Sequence, residues 1–162
     1  MLTITGSHNS RQIFCEVCIL PVESLDGFGD IDTHAPRNLN IQTLTALIDT
    51  GATNTCITAS AAQKIGLDPL GEMPTMGVHG INSTRFYQFR IGFFQYESGE
   101  LGSSSDFKVS ILKEPIKGTE LGFDTAPFDV LLGMDVISHG DLHIGQNGRV
   151  EFIFQTEQTA CY

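Results

Sequence analysis

The chain has 162 residues, of which 41% are hydrophobic and 17% are charged, and this length suits one core rather than two domains. Its formal net charge is −10, and its nine Lys and Arg residues are scattered along the sequence. Nucleic acids and anionic membranes are bound by clustered basic side chains, so we expect neither kind of partner. The 17 glycines and six prolines are spread along the chain, which indicates many short strands and turns.

The first half of the sequence predicts β-strands, one polar loop and one helix. Strands are predicted at residues 12–22, 39–49 and 53–58. The segment 23–38 is polar and bears Gly and Asp, so we interpret it as a loop. Residues 58–65 predict a short helix, because Thr58 and Ser60 are hydroxyl cap candidates and Gly66 is a stop signal.

The second half continues in the same manner. Residues 73–94 predict a hairpin with Gly77 and Gly80 at its tip, and residues 97–106 predict a surface loop. Further strands are predicted at residues 107–112, 142–144 and 149–154, and the apolar run 128–132 precedes a short helix at 134–139. The sequence therefore predicts one all-β domain over 1–162, with one or two short helices and loop insertions near 23–38 and 97–106.

Neither the cysteines nor the histidines predict a metal or redox site. Cys15 and Cys18 are spaced as C-x-x-C, but they lie in a predicted strand, where side chains three apart point to opposite faces. We therefore expect small buried hydrophobes. His139 and His143 are four residues apart, but Gly140 interrupts the helix that would align them. No cofactor and no metal ligand set are predicted.

Nothing in the sequence suggests export or insertion into a membrane. Residues 1–11 lack a basic segment followed by a sustained apolar core, so no secretory signal is visible. No apolar run approaches the roughly 18 residues of a membrane span. A cytoplasmic location is the default expectation.

Asp49 is the residue that most needs a chemical explanation. In the segment A-L-I-D-T-G-A-T at residues 46–53 it directly follows three apolar residues, in a position where burial would make its charge costly. An aspartate in this position either caps a turn or performs chemistry. Asp124 and Asp129 are the other aspartates inspected as catalytic partners, and neither is followed by the required glycine.

Three segments together resemble the retropepsin-like aspartic protease family. They are A-L-I-D-T-G-A-T at 46–53, M-G-V-H-G-I at 76–81 and F-D-V-L-L-G-M-D-V-I at 128–137, in the order found in that family. The resemblance implies a closed β-barrel like that of acid proteases, with a flap hairpin and one lobe per chain. It also implies an aspartic-type endopeptidase that binds extended polypeptides.

The same resemblance implies roles for individual residues. Asp49, Thr50 and Gly51 would be catalytic, with Asp49 acting together with Asp49 of the partner chain. Ala52 and Thr53 at the floor, and Gly77, Val78, His79 and Gly80 in the flap, would bind substrate. Leu131, Leu132, Gly133 and Asp135 would give structural support.

The chemistry explains why such a site needs two carboxylates. Two carboxylates about 3 Å apart share one proton, as is established for aspartic proteases, so that one can activate water while the other protonates the carbonyl. Because the chain carries a single D-T-G triplet, we expect the pair to arise from a homodimer with Asp49 on the twofold axis.

Two other functions remain open from the sequence. The chain could be a catalytically inactive module with the same fold that dimerises or binds peptides, since folds host more than one function. A weaker alternative is a β-barrel that binds a carbohydrate or another small ligand.

Overall fold

A computed structural model describes eight segments of the chain, and all structural statements below refer to them. They are residues 2–8, 12–22, 41–77, 80–96, 107–112, 114–122, 126–146 and 149–154. The predicted loop insertions near 23–38 and 97–106, and the flap residues Val78 and His79, lie outside the described residues.

The described residues form eleven strands and two short helices. The strands are β1 (Leu2–His8), β2 (Ile13–Pro21), β3 (Leu44–Ile48), β4 (Cys56–Thr58), β5 (Gly71–Gly77), β6 (Gly80–Tyr96), β7 (Phe107–Ile111), β8 (Ile116–Leu121), β9 (Val130–Leu132), β10 (Gly140–Ile144) and β11 (Arg149–Phe154). The helices are α1 (Ala59–Lys64) and α2 (Met134–Ile137). Neither helix has the length and apolar character needed to cross a bilayer.

All eleven strands join one sheet, in the order β10-β11-β1-β2-β3-β9-β4-β8-β6-β5, with β7 paired to β6. An additional pairing of β2 with β6 closes a ring of six strands through β3, β9, β4 and β8. The all-β fold is thus confirmed. The expected closed barrel is corrected to a partial one, because β1, β11, β10, β5 and β7 lie outside the ring.

The larger hydrophobic core of the described residues is built mainly from strands of the ring. Phe89, Ile91 and Phe93 of β6 are fully buried there, together with Ile57 and Leu132. Aromatic contacts extend this core to the strands outside the ring, since the Phe93 ring lies 4.8 Å from that of Phe154 and 6.0 Å from that of Phe152. The β10–β11 hairpin is therefore attached to the body by buried rings.

Several predicted elements differ in extent from the observed ones. α1 begins after Thr58, whose hydroxyl accepts the Ala61 N–H at 3.2 Å, which confirms the predicted cap. α2 is shorter than predicted and ends at Ile137, and β10 begins at Gly140, the residue expected to end the helix. The sequence reasoning missed β1 and β8.

Candidate active site

Asp49 lies where two parallel strands end side by side. Ile48 of β3 is aligned with Leu132 of β9, and the Asp49 N–H donates to the Leu132 carbonyl at 3.0 Å. The turn that follows is tight, because the Gly51 N–H donates to Asp49 Oδ1 at 2.9 Å and the Ala52 N–H donates to the Asp49 carbonyl at 3.2 Å. The carboxylate is thus oriented by backbone groups of its own D-T-G-A segment.

The carboxylate lies at a pocket of ≈ 380 Å³. The pocket is lined by Gln12, Ile13, Leu47, Ile48, Asp49, Thr50 and Ile144. Asp49 is partly buried, whereas Thr50 and Gly51 are exposed. The lining combines polar and apolar side chains around one carboxylate, and ligand-binding and catalytic sites also place a few polar groups among apolar ones.

A buried hydroxyl connects the D-T-G-A segment to the L-L-G-M-D segment. Thr55 is fully buried, and its hydroxyl donates to Asp135 Oδ1 at 2.7 Å while accepting the Gly133 N–H at 3.1 Å. The Thr55 N–H donates to Asp135 Oδ2 at 3.0 Å. Asp135 therefore accepts hydrogen bonds from both donors of Thr55, the N–H and the hydroxyl, which fixes α2 against the loop that follows Asp49.

The close packing of this loop on β9 requires glycine at position 133. A Cβ atom placed on Gly133 would lie 2.5 Å from the Asn54 carbonyl carbon and 2.7 Å from its oxygen. Backbone atoms cannot yield as a flexible side chain can, so any larger residue would push the two segments apart. Of the other predicted support residues, Leu132 is fully buried and Leu131 is partly buried.

The predicted floor residues Ala52 and Thr53 make their own contacts with α2. The Met134 N–H donates to the Ala52 carbonyl at 2.8 Å, and the Asp135 N–H donates to the Thr53 carbonyl at 3.2 Å. These carbonyls satisfy the first N–H groups of α2. Any contact of Ala52 or Thr53 with a substrate would therefore use their remaining atoms.

Asp129 lies at the opposite end of the paired strands from Asp49. Its Oδ2 accepts the Thr45 N–H at 2.9 Å, and its own N–H donates to the Thr45 carbonyl at 2.8 Å. These bonds place Asp129 beside the first residues of β3, whereas Asp49 follows its last. Asp129 is a brace between β3 and β9, and it does not meet Asp49.

Cys56 lies close to the two aspartates of the site. Burial raises the pKa of its thiol, a hydrogen bond with the Thr119 hydroxyl at 3.2 Å lowers it, and the negative charges of Asp135 and Asp49 raise it. The net effect is a raised pKa, so the thiol is less ionised than a free one. Cys56 is thus poorly suited to be a nucleophile.

The β5–β6 hairpin forms an arm that extends from the body. Gly77 and Gly80 are paired at its end, and Gly80 has a φ of 103°, a conformation that favours glycine. Next to them, Met76 and Ile81 are paired across the two strands and are 79% and 67% exposed. The described end of the arm therefore presents apolar side chains to solvent.

An ion pair and a tyrosine anchor the base of this arm to β8. Arg85 donates to Glu120 Oε1 from Nη2 at 2.8 Å and from Nε at 3.1 Å. The Tyr87 hydroxyl donates to Glu120 Oε2. Burial, followed by the bond to Glu120, raises the pKa of Tyr87 to about 12.

Sequence reasoning missed Thr55, the bracing role of Asp129 and the contribution of Ile144 to the pocket. Thr55 stands out in the sequence only as a hydroxyl residue near a strand, and Ile144 only as the last apolar residue before a turn. No group of three or more His, Cys, Asp or Glu side chains that could hold a metal ion occurs among the residues that the structure describes.

Comparisons with known proteins agree on one family and one fold. The family model described as aspartyl protease matches residues 35–136. The solved structure of a retropepsin-like aspartic protease from Rickettsia conorii is similar with a TM-score of 0.55 at 16% identity, covering 96% of this chain and 93% of that chain. At this identity the likeness shows the fold alone. No curated protein matches the chain.

Proposed function

The chain belongs to the aspartyl protease family, and from that premise we propose that it is an endopeptidase whose catalytic carboxylates are Asp49 from each of two subunits. The observation that carries this proposal is the position of Asp49. It lies at the shared end of β3 and β9, is held by the Gly51 N–H and borders a pocket of ≈ 380 Å³.

In the proposed reaction, one Asp49 is ionised and takes a proton from a water molecule. The other is protonated and donates to the carbonyl oxygen of the peptide bond, so that water adds to the carbonyl carbon. The C–N bond of the resulting tetrahedral intermediate then breaks. The leaving amine takes a proton from the pair, and a hydroxyl of the intermediate returns a proton to the pair as the carboxylic acid product forms. The hydrogen bond from the Gly51 N–H to Asp49 Oδ1 keeps each carboxylate in one orientation, which lowers the entropy cost of reaching the reactive geometry.

In this proposal the second carboxylate comes from another copy of the chain, as the contacts of two aspartates of the described residues support. Asp129 braces the far end of β3, and Asp135 is bound to Thr55, so neither aspartate is available to Asp49. A twofold axis beside Asp49 would bring two identical carboxylates together. The proposed enzyme is therefore a homodimer, and a monomer would lack half of its catalytic pair.

The proposed substrate is a polypeptide in extended conformation. It would lie between the Asp49 floor and the arm and would pair its backbone with strand edges, as peptides do when they extend a sheet. Met76 and Ile81 near the end of the arm offer apolar contacts, and Gly77 to Gly80 would close over the peptide to exclude water.

The test is cleavage of a diverse peptide library by the wild type and by Asp49→Asn, from about pH 3 to about pH 8. Asn keeps the shape of the side chain but cannot exchange the proton, so we expect Asp49→Asn to lose roughly 10²–10⁴-fold in rate. Asp68→Asn is the matched control, because Asp68 is an exposed carboxylate that is not among the residues lining the pocket. Cleavage products should be identified by mass spectrometry.

Two outcomes would contradict the proposal. If the wild type cleaves nothing at any pH tested, the inactive dimerisation or peptide-binding module becomes the better account. If wild type and Asp49→Asn cleave equally well, the activity belongs to another site or to a contaminant.

A further inference from the structure

One face of the arm continues the core-facing side of β6. Tyr87 and Phe89 of β6 are buried in the larger core. Side chains alternate along a strand, so residues 81, 83 and 85 lie on the same side of β6 as these two rings. Their partners on β5 lie on that side as well. We call this surface the inner face of the arm, and it consists of Met76, Ile81, Pro74, Ser83, Glu72 and Arg85.

The inner face is open, and it changes from apolar to charged along the arm. All of its residues are exposed. Met76 is paired with Ile81 near the end of the arm, and Glu72 is paired with Arg85 at its base. Met73, on the other face of β5, is partly buried. The face that the arm turns toward the body is therefore accessible to a ligand.

The base of the inner face holds two carboxylates and one guanidinium. Arg85 donates two hydrogen bonds to Glu120 of β8, at 2.8 and 3.1 Å. Glu72 lies opposite Arg85, and among the described residues its carboxylate accepts only the Ser83 hydroxyl, at 2.7 Å. One negative charge is therefore unbalanced, and it lies on the exposed side chain of Glu72. A cationic side chain placed beside Glu72 would be attracted.

The outer side of β5 is the edge that does not pair with β6, and it pairs with no strand among the described residues. Proline has no N–H and occurs in sheets where its nitrogen faces away from the ladder, so Pro74 and Ser83 form a non-hydrogen-bonded pair. Such pairs alternate with hydrogen-bonded ones. The backbone groups of Glu72, Pro74 and Met76 therefore point to the outer side, which offers three carbonyls and the N–H groups of Glu72 and Met76.

We propose that the outer side of β5 binds the polypeptide substrate as an antiparallel strand, and that Glu72 selects a basic side chain in it. This inference rests on the proposed function, which places an extended polypeptide between the Asp49 floor and the arm, and it names the substrate class. Directly opposite residues of a ladder share a face of the sheet. The peptide residues opposite Glu72 and Met76 would therefore turn their side chains to the inner face.

The spacing of these two residues defines a sequence pattern in the substrate. Met76 and Glu72 are four residues apart, which is about 13 Å along a strand. An antiparallel peptide meets Met76 first and Glu72 four residues later. The expected substrates therefore carry an apolar residue followed four positions later by Lys or Arg. The net charge of −10 on the chain also favours the approach of basic peptides.

Two related peptide sequences fit this surface less well. A peptide with Glu in place of the basic residue would set two carboxylates side by side, and like charges on neighbouring strands destabilise pairing. A peptide with the reversed order would bring its cation beside Met76 and its apolar side chain beside Glu72. These two sequences are therefore the natural comparison peptides.

Peptide binding to the Asp49→Asn protein tests the pattern without cleavage. Labelled peptides that differ only in Lys or Glu at the basic position should differ in dissociation constant by roughly threefold or more, and the reversed peptide should bind as weakly as the Glu peptide. Fluorescence anisotropy measures these constants.

Substitutions at position 72, each added to Asp49→Asn, test the selecting residue. Glu72→Gln should abolish the preference for Lys over Glu, and Glu72→Lys should reverse it. Glu114→Lys is the matched control, because it changes another exposed glutamate outside the arm by the same charge and should leave the preference unchanged. A preference that persists in Glu72→Gln, or no preference in the parent protein, would overturn the role of Glu72.

N-methylated peptides test the strand pairing separately from charge. The peptide amide opposite Pro74 would donate to the Pro74 carbonyl, so a methyl group on that nitrogen should raise the dissociation constant roughly threefold or more. A methyl group on the next peptide nitrogen, which faces away from β5, should change little. Equal effects of the two methyl groups would show that the peptide does not pair with this edge.

The two proposals can fail separately. If the peptides bind with the expected preference but the wild type cleaves none of them, the β5 site stands and the peptidase proposal falls. If the wild type cleaves peptides in an Asp49-dependent manner with equal kcat/KM for the Lys and Glu sequences, the peptidase proposal stands and the selection by Glu72 is wrong.

Discussion

The floor, by which we mean β3, β9 and the loop from Asp49 to Thr55, and the arm formed by the β5–β6 hairpin are built in contrasting ways. At the floor, β3 and β9 are joined at both ends by aspartate or backbone contacts, and Thr55 is buried between Asp135 and Gly133. In the arm, residues 71–76 of β5 and the first residues of β6 are exposed or partly buried, and each strand there pairs with the other. Packing and buried hydrogen bonds stabilise the floor. The arm is stabilised by the pairing of β5 with β6 and by the contacts of Arg85 and Tyr87 with Glu120.

This difference is suited to the proposed reaction. A carboxylate pair has to be held in one geometry, so its support should be rigid and should tolerate little change. A segment that admits a peptide and then covers it has to move at low cost, so it should have few fixed contacts with the body. The predictions below test that contrast, beginning with the change expected to cost most.

Gly133→Ala should damage the floor most severely. The new Cβ would overlap backbone atoms of Asn54, so we expect the free energy of unfolding to fall by about 3 kcal/mol or the protein to fail to fold. Gly122→Ala is the control, because nothing lies within 4 Å of a Cβ there. Urea unfolding compares the two, and equal stability of both variants would show that the contact at Asn54 relaxes freely.

Thr55→Val should cost less but remain clearly measurable. The substitution keeps the side-chain shape, removes the bond to Asp135 and leaves the buried Gly133 N–H without its hydroxyl acceptor, at a cost of about 2 kcal/mol. Thr43→Val makes the same change at an exposed position and should be nearly neutral. A small effect at Thr55 would mean that the hydroxyl does not join the two segments.

Glu120→Gln should weaken the anchor of the arm only slightly. Its partner Arg85 has a side chain that is 52% exposed, so solvent screens the ion pair and we expect a loss of less than about 1 kcal/mol. The sharper readout is the pKa of Tyr87, which should fall from about 12 yet stay above its ordinary value, because burial is the larger cause of the shift. Ultraviolet absorbance of tyrosinate, with Tyr87→Phe as the blank, measures it.

The same tyrosine predicts a stability change at alkaline pH. Because the pKa of Tyr87 is raised from 10.0 to about 12 in the folded protein, its contribution is complete below pH 10.0 and is lost as the pH rises through about 12. Wild type should therefore lose more stability than Tyr87→Phe across that interval. Parallel unfolding curves for the two proteins would contradict the burial of this hydroxyl.

Ile81→Ser should have the smallest effect on stability. Ile81 is 67% exposed on the arm, so we expect the free energy of unfolding to change by no more than about 0.5 kcal/mol. If the arm covers a peptide, KM should nevertheless rise. Asn82→Ser alters the opposite face of the same strand and is the control. An unchanged KM for Ile81→Ser would remove this side chain from substrate binding.

The floor was predictable from the sequence to the extent that its signals are local. The turn at Asp49 follows from A-L-I-D-T-G-A-T, and the short helix follows from the glycine after L-L. The hydrogen bonds between Thr55 and Asp135 join residues 80 positions apart, and no local sequence pattern predicts them. A threonine beside a strand looks the same whether it faces solvent or a distant carboxylate.

The missed strands have similar explanations. β1 lies in a segment rich in Thr, Gly and Ser, and its strand character comes from pairing with β11. β8 contains Gly118, which is unfavourable in a strand but leaves space for the Phe89 ring, 2.5 Å from where a Cβ would lie. In both cases a tertiary partner outweighs local propensity.

The pairing of β1 with β11 also has a consequence for how the protein is made. Leu2 is aligned with Phe154 and Ser7 with Arg149, so during synthesis β1 cannot pair in this way until β11 has also been made. Contacts between such distant parts of a chain slow folding, because the entropy cost of closing a long loop precedes the stabilisation that the contacts provide. Until β11 emerges, the nascent chain exposes the edges of β1 and β10, and this stage of biosynthesis is when chaperones would be needed most.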